Sequence, residues 1–134
     1  MIQHQIPVIG GEEEEVVVIT QFESGDECGL KCVFRERTIE ALEGDYFEAF
    51  CEIRKALEKE NIVPFCYGAS LNVYPSAMAR QMGEGLRAYR LTMGVPSSQD
   101  QLVQIFDQGP DIIPASVSQQ EHFYREWCMA GKAS

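Results

Sequence analysis

The chain has 134 residues, 45% of them hydrophobic, and a net charge of −10 from 21 acidic and 11 basic residues. This length and composition predict one globular domain spanning 1–134. Nucleic-acid binding needs a cationic patch, and the basic residues here are scattered, so neither nucleic acid nor an anionic membrane surface is an expected partner. No apolar run reaches the ~18 residues that a membrane-spanning helix requires.

The five cysteines predict reduced thiols in a cytoplasmic protein, because Met1–Gly11 lacks the features of an export signal. Cys28 and Cys32 are the closest pair, but they do not have the two-residue spacing of zinc and redox motifs. No second pair of cysteines or histidines occurs at ligand spacing. The sequence therefore predicts neither a metal site nor a cofactor.

In chain order, the first predicted strand follows an acidic run. Glu12–Glu15 repel one another and are expected in solvent, at an edge or in a loop. The β-branched run Val16–Ile19 predicts a strand, and the alternation of apolar and polar residues in Leu30–Ile39 predicts a second. The Ser24–Gly29 stretch between them predicts a hairpin loop. The N-terminal residues around His4 are expected to be mobile.

Asp45–Glu60 is the clearest predicted helix. Asp45 can cap its first turn, and Glu48, three residues later, completes a capping box. Apolar residues recur three and four positions apart, as in a helix that packs on a core: Tyr46, Phe50, Ile53 and Leu57. Ile62–Phe65 then predicts a strand at a sheet edge, because Pro64 cannot donate to a ladder.

The next segment has two interpretations. Pro75 suits the first position of a short helix that Gly83 and Gly85 would end. One long helix through 84–93 is the alternative. Two internal glycines would cost that helix about 1 kcal/mol each, so a break is favoured and Arg87–Met93 is predicted to be a strand.

The remaining elements complete an α+β pattern. Met78 and Met82 share one face of the short helix, and we expect both in the core. Leu102–Phe106 predicts a strand paired with its predecessor, and Ser118 with Glu121 predicts the capping box of a C-terminal helix. The fold class predicted is α+β, with one mostly antiparallel sheet of about five strands packed by two longer helices and one short helix.

The candidate nucleophiles lack the sequence surroundings that catalysis needs. Cys66 and Ser76 occur in no nucleophile motif, and Ser76 can instead cap the short helix. His122 has no second histidine nearby. We therefore expect a protein that is not an enzyme and has no catalytic residues. An enzyme using Cys66 or Ser76 remains an alternative.

One segment carries a resemblance to a known class. Its residues are Tyr67-Gly68, Asn72-Val73-Tyr74-Pro75-Ser76, Met78, Met82-Gly83, Gly85, Ala88-Tyr89 and Ile105-Phe106. On these residues, roughly 64–107 of the chain resembles small cytosolic immunity proteins of bacterial polymorphic-toxin and contact-dependent-inhibition systems. The resemblance implies a protein that binds the toxic domain of a cognate effector and blocks its active site or substrate path.

The charge of the chain agrees with such a partner. Toxic nuclease domains are often basic, because they must hold phosphates, and an acidic surface is complementary to them. The residues predicted to form this surface are Glu12, Glu13, Glu14, Glu15, Glu23, Asp26 and Glu27. Tyr74 and Arg80 are predicted to be further partner-binding residues, since both types are enriched in interfaces.

Two further interpretations remain open. A small-ligand-binding or regulatory domain would have a pocket lined by Phe65, Tyr67, Tyr89 and Trp127. A homo-oligomeric assembly protein would have a large apolar interface with its own copies. The oligomeric state is not predicted.

Overall fold

The computed structural model describes residues 2–132, which form two antiparallel β-sheets and three α-helices. The first sheet has the order β4-β3-β2-β1-β5 and comprises β1 (Ile2–Ile9), β2 (Val16–Ser24), β3 (Glu27–Phe34), β4 (Arg37–Glu43) and β5 (Val63–Pro64). The second sheet comprises β6 (Val73–Tyr74), β7 (Arg87–Arg90) and β8 (Leu102–Gln104). The helices are α1 (Tyr46–Glu58), α2 (Ala77–Met82) and α3 (Val117–Lys132). The predicted α+β class is confirmed.

The first sheet curls around α1, and the core lies between them. Successive side chains of a strand point to opposite faces, so alternate residues of β1, β2 and β3 face the helix. Those that are buried with at most 1% exposure are Ile6, Val17, Ile19, Leu30, Cys32 and Phe34. The face of α1 that meets them includes Phe47, Phe50, Ile53 and Leu57.

The ends of α1 follow from local chemistry. Asp45 has the extended backbone of an N-cap, and its Oδ1 accepts a hydrogen bond from the Glu48 N–H at 2.8 Å, as predicted. At the other end Asn61 adopts a positive φ of 60°. The Ile62 N–H then donates to the Leu57 carbonyl at 3.1 Å, which closes the last turn.

The expected mobile N-terminus is instead a strand. β1 pairs with β2 along most of its length. The ring of His4 packs 4.6 Å from the ring of Phe106, and its Nε2 lies 2.7 Å from Gln21 Oε1 in a hydrogen bond. Three consecutive polar residues, Gln3, His4 and Gln5, interrupt the apolar alternation of β1, in which Ile6 is the fully buried residue.

The strand predicted over Leu30–Ile39 is in fact two strands. Arg35-Glu36 forms the turn between β3 and β4, with a φ of 52° at Arg35. Asn, Asp and Gly usually mark a hairpin turn, and none of them occurs there. The alternation of apolar and polar residues therefore continues through the turn and predicted a single strand. The turn between β2 and β3 is also shorter than predicted and consists of Gly25-Asp26.

The predicted break after α2 is confirmed. Gly83 is the C-cap of α2, and the chain resumes as β7 rather than as helix. α2 starts two residues later than predicted, because Ser76 is its N-cap and accepts a hydrogen bond from the Ala79 N–H at 3.0 Å. Pro75 therefore precedes the cap.

The prediction that Met78 and Met82 face the core is wrong. Their exposed fractions are 69% and 81%. Arg80, on the other side of this six-residue helix, makes the contacts with α1 instead. The spacing of the two methionines indicated a shared face correctly but did not indicate which way that face points.

α3 begins before the capping box predicted at Ser118. The Ser116 Oγ accepts from the Gln119 N–H at 3.1 Å, and Gln119 Oε1 accepts from the Ser116 N–H at 2.9 Å. This reciprocal pair is a capping box two residues earlier in the chain. Val117, the first residue of the helix, is 3% exposed, so its burial fixes where the helix starts.

No helix within residues 2–132 is both long enough and apolar enough to cross a membrane.

A buried arginine joins α1 to the rest of the molecule. Arg54 is 1% exposed. Its guanidinium donates to the carbonyl oxygens of Gly68 at 3.0 Å and Ala115 at 3.1 Å, and to Gln120 Oε1 at 2.6 Å. The Gln120 amide in turn donates to the carbonyl oxygens of Gly68 and Ser70, both at 2.9 Å. Burial lowers the pKa of the Arg54 guanidinium from its ordinary value.

Replacing Arg54 with methionine tests this network. We expect Arg54→Met to lower the free energy of unfolding by about 2–4 kcal/mol, because buried acceptors lose their donors. Lys55→Met is the control, since it removes the same charge from an exposed neighbour and should change stability by about 0.5 kcal/mol or less. Urea unfolding followed by circular dichroism measures both. Equal losses would show that the Arg54 network does not stabilise the fold.

Candidate functional site

The seven acidic residues predicted to form one surface lie in two places. Glu12–Glu15 occupy the loop between β1 and β2, whereas Glu23, Asp26 and Glu27 lie at the β2–β3 turn. These places are opposite ends of β2, whose nine residues span about 26 Å at about 3.3 Å per residue. The structure does not bring the two groups together, so they do not form a single surface.

The acidic run before β2 is partly neutralised within the protein. Glu15 accepts hydrogen bonds from Arg35 Nε at 2.7 Å and Arg35 Nη2 at 3.0 Å. The Glu12 backbone N–H also donates to Glu15, at 2.9 Å. The Arg35 bond, followed by the Glu12 bond, lowers the pKa of Glu15 to about 2. Glu15 thus ties this loop to the β3–β4 turn, while Glu13 and Glu14 stay exposed.

Carboxylates concentrate at the other end of β2. Glu23, Cys28 and Glu43 lie directly opposite one another on β2, β3 and β4, so their side chains share one face of the sheet. Glu84 approaches the same point from the connection between α2 and β7, with its Oε2 3.5 Å from Cys28 Sγ. Burial, and then the Glu84 carboxylate, raise the pKa of the Cys28 thiol to about 11. We call this region, with the residues of the adjoining turn, the acidic end: Glu23, Asp26, Glu27, Glu43 and Glu84.

The acidic end carries charge that the protein does not compensate. None of its five carboxylates forms an ion pair with a basic residue within residues 2–132. Other acids do have such partners, as Glu60 has Arg37 and Asp111 has Arg90. The acidic end is therefore a region where negative charge is both dense and available, and among the described residues the exposed run Glu12–Glu14 at the other end of β2 is a smaller one.

A groove of about 350 Å³ opens at the acidic end. Its lining combines two carboxylates with apolar and aromatic groups, and consists of Ile2, Gln21, Phe22, Glu23, Tyr46, Glu84 and Leu86. Ile2 is 59% exposed, and the Tyr46 hydroxyl donates to the Phe22 carbonyl at 3.2 Å. An apolar floor beside carboxylates suits the aliphatic stem and charged head of a lysine or arginine.

Tyr74 and Arg80 lie beside the acidic end but contact the protein itself. Arg80 Nη1 lies 3.2 Å from a carboxylate oxygen of Asp45 and 3.2 Å from one of Glu48. Its guanidinium also lies over the Tyr74 ring, 5.4 Å from the centroid. Tyr74 stacks on Tyr124 with centroids 4.0 Å apart. Both predicted partner-binding residues therefore hold α2 and α3 against α1.

The residues considered as nucleophiles or bases have structural partners. The Cys66 thiol is fully buried, and burial raises its pKa to about 12. The Ser76 hydroxyl caps α2. His122 Nε2 lies 2.5 Å from Glu126 Oε1 on the exposed side of α3. The structure places these three residues on separate elements, and no contact joins them.

None of the grooves described within residues 2–132 is lined by more than one of the four aromatic residues proposed to form a ligand pocket. Tyr67 lines a polar groove of about 430 Å³ without the other three, and its hydroxyl donates to Asp111 Oδ1 at 2.6 Å. Trp127 Nε1 donates to the Val95 carbonyl at 3.0 Å. Phe65 packs against the main core.

No protein-family model matches the chain, and no curated protein sequence matches it.

Sequence reasoning missed two members of the acidic end, Glu43 and Glu84. Glu43 joins it through the register of β3 and β4, which was hidden because the two strands were predicted as one. Glu84 has a positive φ of 56° between two glycines, so the chain turns it back toward Cys28. A glutamate between two glycines was the available signal of an unusual turn.

The Glu15–Arg35 pair makes a pH-dependent contribution to stability. The pKa of Glu15 falls from 4.5 to about 2 on folding, so its contribution is present above about pH 4.5 and is lost as the pH falls toward 2. We expect wild type to melt at a higher temperature than Glu15→Gln at pH 6, and the difference to vanish near pH 2. Glu13→Gln is the control, with no basic partner. A difference that is independent of pH would contradict the prediction.

Proposed function

We propose that this chain is a non-catalytic, acidic immunity protein that binds and neutralises a cognate bacterial toxin domain in the cytoplasm. The observation that carries the proposal is the acidic end. Five carboxylates without a basic partner in the described part of the chain lie there, beside a groove with an apolar floor. Uncompensated charge next to apolar surface favours a basic macromolecular partner over a small neutral ligand.

The groove supports a specific kind of contact. A lysine or arginine of the partner would lay its stem over Ile2 and Leu86 and place its charged head between Glu23 and Glu84. Charge-assisted hydrogen bonds of this kind are stronger than neutral ones. The groove therefore offers specific contacts for basic side chains, in addition to the long-range attraction of the protein's negative charge.

The net charge of −10 supports fast association. Complementary fields raise association rates at low ionic strength, by steering the partners before they touch. A toxic nuclease must present basic residues to its phosphate substrate. A protein that covers those residues competes directly with the substrate, and needs no reaction of its own to stop the toxin.

Two charge-matched variants test the proposal with the purified toxic domain of the proposed cognate effector. The first replaces three carboxylates of the acidic end, Glu23→Gln, Asp26→Asn and Glu27→Gln. The second replaces Glu12, Glu13 and Glu14 with glutamine at the opposite end of β2. We expect the first variant to associate about tenfold more slowly at low salt, and the second to change much less. Stopped-flow association measured at several salt concentrations gives both rates.

Three outcomes are informative. A large effect confined to the first variant supports the acidic end as the binding surface. Equal effects of the two variants would mean that net charge, and not this surface, governs binding. Failure of the wild-type chain to bind the toxin domain, or to reduce its activity, would refute the proposed function.

A further inference from the structure

We propose that the open edge of β4 binds an extended, basic segment of the partner as an additional β-strand. The partner's identity rests on the proposed function, whereas the edge is a property of this chain's own backbone. β4 is the terminal strand of the five-stranded sheet, and its last residue, Glu43, belongs to the acidic end.

The hydrogen-bond pattern identifies the groups that face outward from the edge. Phe34 and Arg37 close a two-residue turn, so they form a hydrogen-bonded pair. Such pairs alternate along an antiparallel ladder. Counting from Arg37, the residues of β4 that bond to β3 are Arg37, Ile39, Ala41 and Glu43. The intervening residues, Thr38, Glu40 and Leu42, direct their N–H and C=O groups away from the sheet.

Nothing in the described part of the chain covers these groups. Thr38, Glu40 and Leu42 are all exposed, and no backbone hydrogen bond within residues 2–132 reaches the open side of β4. The opposite edge differs. β5 has only two residues, and one of them is Pro64, which has no N–H to offer. The β5 edge thus offers little backbone for pairing, while the β4 edge keeps open N–H and C=O groups at three alternate residues.

The side chains of the edge select a basic occupant. Glu40 lies at the centre of the open row, directly across the ladder from Lys31 of β3, and Arg37 is already paired with Glu60. Glu43 ends the strand on the opposite face of the sheet, where it adds to the negative charge near the edge. A shallow groove of about 310 Å³ lies on the same outer side and is lined in part by Glu40 and Leu42. A second copy of this chain would bring another net charge of −10 to the edge, which disfavours self-pairing.

The two faces of β4 also define the pattern of the added strand. Its residues opposite Thr38, Glu40 and Leu42 would lie on the outer side of the sheet, beside the Glu40 carboxylate. Its alternate residues would lie beside Ile39 and Ala41, which are half-buried. The edge therefore fits a strand that alternates basic and apolar residues.

A synthetic strand tests the edge without the toxin. The probe is a short capped peptide of alternating lysine and valine, made in two N-methylated forms. In an added antiparallel strand whose lysines lie on the same face as Glu40, the lysine N–H groups point at β4 and the valine N–H groups point away. N-methylation of the valines therefore leaves pairing with β4 intact and blocks stacking of a second peptide. N-methylation of the lysines removes the pairing but keeps every charge and side chain.

Amide hydrogen exchange by NMR reads the result at each residue. We expect the valine-methylated peptide to slow exchange of the Thr38, Glu40 and Leu42 amides by about tenfold or more, while the lysine-methylated peptide leaves them unchanged. The amides of Ile39 and Ala41 are the internal control, because β3 already protects them. Equal effects of the two peptides, or no protection at the three open amides, would overturn the proposal.

The toxin domain then separates this inference from the proposed function. Glu40→Pro removes an open N–H that β3 does not use, and Glu40→Thr removes the same charge but keeps that N–H. We expect Glu40→Pro to bind the toxin domain about tenfold more weakly than Glu40→Thr. Equal affinities, or a complex that leaves the three amides unprotected, would refute the added strand while leaving the proposed function standing. A protected edge with the peptide but no toxin binding would refute the proposed function alone.

Discussion

The arrangement of the whole molecule depends on the hydrogen bonds of one buried guanidinium. Arg54 has no carboxylate among its hydrogen-bond partners, which are two backbone carbonyls and the side-chain oxygen of Gln120. Removing a charge from water is costly, and neutral acceptors offset that cost only if several are well placed. The planar guanidinium reaches three of them at once, which a lysine could not do in the same geometry. Because the acceptors belong to the segments before the second sheet and around the start of α3, these segments are held to the helix inside the first sheet.

Because Arg54 is bonded to neutral acceptors, the acidic residues of the chain remain free to make other contacts. The buried cation takes no carboxylate from the surface, and the carboxylates divide into two kinds. Some hold elements together, as Glu15 does with Arg35 and Asp45 with Arg80. Others have no basic partner within residues 2–132, and five of these are gathered where the ends of β2, β3 and β4 meet Glu84. The density of negative charge at the acidic end therefore results from the register of the strands. It cannot be read from the order of residues in the chain.

The sequence predicted the elements whose signals are local, and it missed those that depend on distant partners. The Asp45 cap and the glycine break after α2 were predictable, because one or two residues determine each. β1 was missed because its inward-facing polar residue, His4, contacts Gln21 and Phe106, which lie far along the chain. Arg54 was missed although it follows Phe50 by four residues and precedes Leu57 by three, the spacing of the buried stripe. A basic residue in such a stripe is the signal that would have indicated a buried polar network. For the candidate site, the acidic turn was predictable and its association with Glu43 and Glu84 was not.

Charge and backbone pairing give together a selectivity that neither gives alone. Acidic surfaces attract any basic protein, and open strand edges accept many extended chains. On this molecule Glu40 lies within the open row of β4, and the strand ends at the acidic end. A neutral strand would leave Glu40 with only Lys31 of β3 as a basic neighbour, while a basic helix would leave the backbone groups of β4 without partners. A basic extended segment pairs with both the carboxylates and the open backbone groups. The carboxylates disfavour neutral partners and the open edge disfavours helical ones, so together they discriminate among partners.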